Sequence, residues 1–183
     1  MKKVTLLGDS IRQIGYGTKV PEMLGADYEV FQPEDNCRFV KYTLRMLFDF
    51  KAQIEGSDVI HWNNGLWDCT EIFDDGLFTS EEEYIENMVR IGTLLKKVTP
   101  NVICATTTPV WDEFEWTHND KIERFNEIIV PKLKELGVKI NDLHSIVAED
   151  IHGNIKECDK IHLSEKGIDL CAKAVVKSIK ELV

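Results

Sequence analysis

Five short apolar runs, each followed by a turn signal or a longer amphipathic stretch, constrain the fold of this chain more than any other feature. They fall at residues 4–7, 28–31, 59–62, 102–106 and 138–141. Short runs rich in Val, Ile and Leu suit strands covered on both faces, and strands that alternate with helices build parallel sheets. The expectation is therefore an α/β fold: a three-layer α/β/α sandwich around a flavodoxin-like, five-stranded parallel sheet. No repeat, linker, charge block or low-complexity segment interrupts the 183 residues, so residues 1–183 read as one domain.

The helices between these runs carry their own punctuation. Ser80 followed by Glu81, Glu82 and Glu83 forms a capping box, and Tyr84, Met88, Ile91, Leu95 and Val98 then recur at helical spacing until Pro100. Ser164 opens a last helix whose apolar stripe is Ile168, Cys171, Ala172, Val175, Ile179 and Leu182. Residues 41–54 and 119–136 also read as helical, the second with a kink expected at Pro131.

A formal charge of −10 speaks against nucleic acid or an anionic membrane as partner, because both require a basic footprint. Lys2 and Lys3 precede too short an apolar run for a secretion signal, and no stretch approaches the roughly 18 apolar residues of a membrane span. The five cysteines are scattered and never paired as C-x-x-C. Free thiols in a cytoplasmic protein are expected, with Cys104 and Cys171 in the core and no structural metal.

In a parallel sheet, ligands gather beyond the carboxyl ends of the strands, which directs attention to residues 8–16, 33–42, 63–78, 107–117 and 142–164. In the first of these, Val4-Thr5-Leu6-Leu7 runs into Gly8-Asp9-Ser10. Alone, this is an ordinary strand exit built from turn formers. Near the other end stands Cys158-Asp159-Lys160-Ile161-His162-Leu163-Ser164. An Asp and a His three residues apart in one turn can meet carboxylate to Nδ1, which fixes the tautomer and frees Nε2 to act as a base. Ser, then Asp, then His is also the chain order of one kind of hydrolytic triad.

Taken together, Gly8-Asp9-Ser10 and Asp159-x-x-His162 resemble the nucleophile block and the closing block of the SGNH, or GDSL-type, hydrolase superfamily of esterases and lipases. The resemblance spans the chain from first strand to last helix. It implies a small flavodoxin-like sandwich and a triad of Ser10, Asp159 and His162 acting without metal or cofactor. The two intermediate blocks depart from the pattern. Where the third block reads Gly-x-Asn-Asp, this chain has Gly65-Leu66-Trp67-Asp68, so an indole stands in place of the oxyanion asparagine. Asn63 and Asn64, just upstream, are the substitute amide donors, with Asn63 preferred because it shares strand parity with position 67. The second block corresponds to Asn36-Cys37-Arg38-Phe39-Val40-Lys41-Tyr42-Thr43, with Lys41 near the expected glycine. The expected oxyanion hole thus comprises the N–H groups of Ser10 and of Lys41 or a neighbour, with Asn63 or Asn64.

Trp67, Trp111 and Trp116 fall in loops at the presumed active edge, while Trp62 ends the central strand. Trp62 and Trp116 are equally well explained as a roof over the core. Aromatic planes beside Asn36, Arg38, Asn63 and Asp112 suit a sugar, or a similar small polar alcohol, bearing a short acyl group such as acetyl. The candidate substrate residues are Asp9, Asn36, Arg38, Trp67 and Trp111, with Asp9 expected chiefly to organise the turn. Thr106-Thr107-Thr108-Pro109-Val110 is expected to wall the pocket. His61 reads as a hydrogen-bonded core residue, and His118, His144 and His152 as solvated or capping.

Two readings from other classes compete. A receiver-like signalling domain shares the sheet, but the central strand ends in Asn63-Asn64 where an acceptor Asp would stand. A carbohydrate-binding protein that has lost catalysis would account for Trp67 and Lys41, but not for the joint presence of Ser10, Asp159 and His162. A metal hydrolase is weaker, since Asp68, Asp159 and His162 lack ligand spacing.

Overall fold

The computed structural model describes residues 1–73 and 75–183; Asp74, inside the segment 63–78 expected at the active edge, lies outside the described residues. Five strands form one parallel sheet: β1 (Lys2–Leu7), β2 (Tyr28–Phe31), β3 (Val59–Asn63), β4 (Val102–Ala105) and β5 (Lys139–Asn141). Their spatial order is β2-β1-β3-β4-β5. The chain steps outward from β1 to β2 and then crosses back to β3, so the topological switch lies between β1 and β3. In sheets of this kind ligands gather beyond the carboxyl ends of those two strands.

Burial explains why the strands were legible. β3 is buried at every residue and β1 from Val4 onward, whereas the edge strand β2 is partly exposed. β4 stops at Ala105, one residue earlier than expected, and Thr106 just beyond it donates its amide to Asn141 O and its hydroxyl to Asp142 Oδ1.

The helices are α1 (Val20–Leu24), α2 (Val40–Asp49), α3 (Lys51–Ile54), α4 (Glu81–Val98), α5 (Asn119–Glu135), α6 (Leu143–Ala148), α7 (Ile151–Asn154) and α8 (Glu165–Lys180). The helix expected over 41–54 is divided at Phe50, whose φ of −104° and ψ of 21° leave the helical region. α5 continues through Pro131 as one element. Ser80 accepts from the Glu83 amide and Ser164 from the Gly167 amide, so both expected caps are made. The stripe of α8 is buried from Ile168 to Ile179, with Leu182 packed at its margin. On α4, Tyr84, Met88, Ile91 and Leu95 are buried, whereas Val98 emerges into solvent at the helix end.

Two glycines at the switch allow the strand ends to approach each other. A Cβ on Gly8 would lie 2.0 Å from Asn63 Oδ1, and one on Gly65 would lie 2.0 Å from Thr107 Oγ1. Gly65 also has a φ of +141°. Both substitutions press a methyl group into buried, hydrogen-bonded atoms. Gly8→Ala and Gly65→Ala should each destabilise the fold by roughly 2–3 kcal/mol, read as a lowered urea midpoint.

Candidate active site

The turn after β1 is held by its own aspartate. Asp9 Oδ1 accepts from the Ile11 amide at 2.9 Å, and its carbonyl accepts from Arg12 and Gln13. These bonds start a short π-helical turn, Ile11–Gly15, and leave Ser10 half-buried just before it. The Ser10 amide has no acceptor among the described residues, and Ser10 Oγ has no partner there either. Asp9 itself is buried, so it organises the turn as expected and lies out of reach of a substrate.

Arg12, which sequence reasoning passed over, fastens this turn to the loop after β2. Its guanidinium is buried and donates to the carbonyls of Pro33 (2.7 Å), Asp35 (2.7 Å) and Gly8 (3.2 Å). The same loop returns at Cys37, whose amide donates to Gly8 O at 3.0 Å and whose Sγ accepts from the Gly8 amide at 3.3 Å. Arg38 follows with φ at +48°, its amide on Asn36 Oδ1 and its carbonyl on Asn64 Nδ2. Thus the second-block loop meets the nucleophile turn at Cys37 and not at Lys41. Lys41 lies in the first turn of α2, and its ammonium pairs with Glu83 of α4. The available signal was a lone Arg two residues after the serine, an unusual choice for a turn followed by apolar residues.

The asparagines of β3 are also committed elsewhere. Asn63 lies under Gly8, buried, with Nδ2 donating to Asp9 Oδ1 at 2.7 Å and Oδ1 accepting from the Tyr16 hydroxyl at 2.7 Å. Asn64 is buried between Arg38 O and Thr43 Oγ1. The expectation that either amide is aimed at a developing oxyanion gives way to a structural role, because each side chain is spent on buried partners that would otherwise lose a hydrogen bond. Asp68 is equally structural: Oδ1 accepts from Val40 N at the start of α2 and from Thr79 Oγ1.

At the far end of the chain, residues 156–162 form a small loop closed by an antiparallel bridge between Ile155 and Leu163, with the Lys156 amide on His162 O at 2.8 Å. Asp159 Oδ1 accepts from the amides of Ile161 (3.1 Å) and His162 (2.9 Å), and Oδ2 lies 3.1 Å from His162 Nδ1. Burial raises the Asp159 pKa, but these three bonds prevail and hold it below the usual carboxylate range. An ionised carboxylate on Nδ1 leaves Nε2 as the basic nitrogen, the tautomer a general base requires. The loop is seated on the Ser10 turn: a Cβ on Gly15 would lie 3.4 Å from Leu163 and 3.8 Å from Ser10 O. No hydrogen bond joins Ser10 Oγ to His162 among the described residues, and such bonds are often open before substrate arrives.

Of the aromatic candidates, Trp67 and Trp116 are each 41% exposed and Trp62 is fully buried. Trp111 is half-buried, edge-on to His152 at 4.2 Å, and its amide donates to Lys160 O, which ties the loop after β4 to the Asp159 turn. Arg38 lies over the Tyr42 ring at 4.8 Å. Thr107 Oγ1 donates to Asn64 O, so the threonine run braces the β3 exit. Among the described residues, no group of three His, Cys, Asp or Glu side chains is arranged to hold a metal ion, and no helix is long and apolar enough to cross a membrane. All five cysteines are free thiols, with only Cys158 exposed.

This fold is shared with solved structures of a lipase/acylhydrolase, a GDSL-like lipase and an acetylxylan esterase. A lipase/acylhydrolase from Enterococcus faecalis superposes with a TM-score of 0.79 at 18% identity, over 99% of this chain and 96% of that one. A GDSL-like lipase from Bacteroides thetaiotaomicron gives 0.77 at 18% identity, over 100% and 89%. Axe2, an acetylxylan esterase from Geobacillus stearothermophilus, gives 0.77 at 16% identity, over 97% and 94%. No family model matches the sequence, and no curated protein matches it.

Burial of two carboxyls has a measurable consequence. Desolvation raises Asp9 to about 6 and Asp68 to about 7, outweighing the hydrogen bonds that lower each. A carboxyl with a raised folded-state pKa binds its proton more tightly when folded. Its contribution is present below the unfolded value and lost as pH rises through the folded one. Relative to wild type, Asp9→Asn should therefore gain stability between about pH 4 and pH 7, by an amount of order 3 kcal/mol. Asp68→Asn should gain in the same direction, and urea denaturation across that range measures both.

Proposed function

We propose that the protein is a serine ester hydrolase that removes a short acyl group, acetyl foremost, from a carbohydrate or a similarly small polar alcohol. The observation that carries this reading is the Asp159–His162 couple, held by three hydrogen bonds on a loop seated against the Ser10 turn. A binding protein has no need to orient an imidazole in this way.

The chemistry follows from the parts. Ser10 Oγ attacks the ester carbonyl while His162 Nε2 takes its proton, and Asp159 stabilises the imidazolium. The Ser10 N–H, which has no acceptor among the described residues, donates to the oxyanion in this reading. Collapse of the tetrahedral species passes the proton from His162 to the departing alcohol and leaves the acyl group on Ser10. Water then attacks that ester with His162 again as base, the acid is released, and the proton returns to Ser10. The choice of acetyl on a sugar is supported by the exposed Trp67 in the segment that follows β3, and by the acetylxylan esterase among proteins of the same fold. That enzyme's structure has also been solved as catalytic mutants at a serine and at an aspartate.

A panel of p-nitrophenyl esters of increasing acyl length, run beside acetylated sugars, tests the proposal. The acetyl ester should be the best of the series. Ser10→Ala and His162→Ala should each lower kcat/KM by at least about a thousandfold with the fold intact. Undiminished hydrolysis by Ser10→Ala would overturn the assignment.

A further inference from the structure

Behind the Ser10 turn runs a line of buried polar side chains with no part in the chemistry above. Asn141 of β5, His61 and Asn63 of β3, Tyr16 from the turn following the π-helical segment, and Asp9 form one chain across the sheet. Its direction can be assigned link by link. Asn141 Nδ2 lies 3.2 Å from His61 Nε2, and an amide nitrogen can only donate, so Nε2 accepts. Burial pushes His61 down to about 3, so the ring is neutral and its single proton sits on Nδ1. That N–H faces the Tyr16 oxygen at a long 3.4 Å, with the two rings edge to face. The Tyr16 hydroxyl is thereby left to donate to Asn63 Oδ1 at 2.7 Å, and Asn63 Nδ2 donates to Asp9 Oδ1 at 2.7 Å. Every proton in the line points toward Asp9.

We propose that Tyr16 and His61 are positioning residues of the hydrolytic site, holding the Asn63 amide so that its N–H faces Asp9 and keeps that carboxylate ionised under the Ser10 turn. The inference rests on the proposed hydrolase for its meaning, though not for its test. An amide flipped about its last torsion would present oxygen to carboxylate. The Asp9 carboxylate accepts only and so selects the Asn63 N–H, while the Tyr16 hydroxyl, oriented by His61, holds the amide oxygen on the other side. Asp9 is buried, and its Oδ2 has no partner among the described residues, so the loss of one donor weighs heavily on its charge. The other groups around it are Arg12 on its own turn, His162 before α8, Cys37 from the loop after β2, and Asp68 and Cys69 beyond β3. Arg12 and His162 favour the charged form, and Asp68 opposes it.

The test is a carbon-13 titration of the Asp9 carboxyl, with the acidic limb of kcat/KM on p-nitrophenyl acetate as second readout. Wild type should titrate near 6. Tyr16→Phe and His61→Leu should move the midpoint upward by about half a unit or more. They should lower kcat several-fold with KM little changed, and shift the acidic limb the same way. His61→Gln, which offers one donor and one acceptor in the same line, should restore the wild-type midpoint. If Tyr16→Phe and His61→Leu lower the melting temperature while Asp9 titrates as in wild type, the residues are merely structural and the proposal is overturned. If the carboxyl shifts as expected but no ester is hydrolysed by wild type, the hydrolase reading fails and the positioning role stands.

Discussion

The hydrogen bond between Asn63 Nδ2 and Asp9 Oδ1 is the contact on which the rest of this site depends. It joins the ends of β1 and β3 across the topological switch, directly beneath Gly8, where no side chain larger than hydrogen fits. One side of this junction carries the nucleophile turn and the other carries the β3 exit, which Asn64 and Thr107 brace in turn. Because both partners are buried, neither can exchange the other for water, so the junction must be made for the strand ends to be closed at all.

Around that junction the protein concentrates unusual electrostatics. Arg12 places a buried cation on three backbone carbonyls, and Asp9 and Asp68 are carboxyls whose second oxygens have no partner among the described residues. Burying charge on this scale costs stability, and such cost is commonly found where geometry serves a reaction. The contrast with Asp159 is instructive. That carboxylate, partly open to solvent, accepts from two backbone amides and the imidazole, and is held low, while Asp9 is pushed up. Asp9 and Asp159 are thus tuned in opposite directions by their surroundings alone.

Much of this was legible before any coordinate was known. Five short, largely apolar runs alternating with amphipathic stretches pointed to a parallel sheet, Ser80 and Ser164 announced their helices, and Asp159 and His162 stood at a spacing that one turn can close. The helical region over 41–54 was read as continuous because nothing local marks Phe50 as a break. The helices α6 and α7 were missed because each is short and held by Asp142 and Asp150 caps within an otherwise loop-like segment. The second-block donor was placed at Lys41 by counting along the chain, whereas the close approach to Gly8 is made at Cys37.

What the sequence by itself determined is whatever depends on neighbours along the chain: hydrophobic period, caps, turn formers and the Asp-x-x-His geometry. Only the tertiary structure decided the use of each polar side chain at the sheet's end. Asn63 and Asn64 have the right chemistry for an oxyanion hole, yet an amide serves whichever partners surround it, and here those are Asp9, Tyr16, Arg38 and Thr43. Those partners lie 21 to 54 residues away in sequence and come together only when β1 and β3 pair. No local pattern can record that choice, because the cost of leaving a buried donor unpaired is set by the packed interior around it.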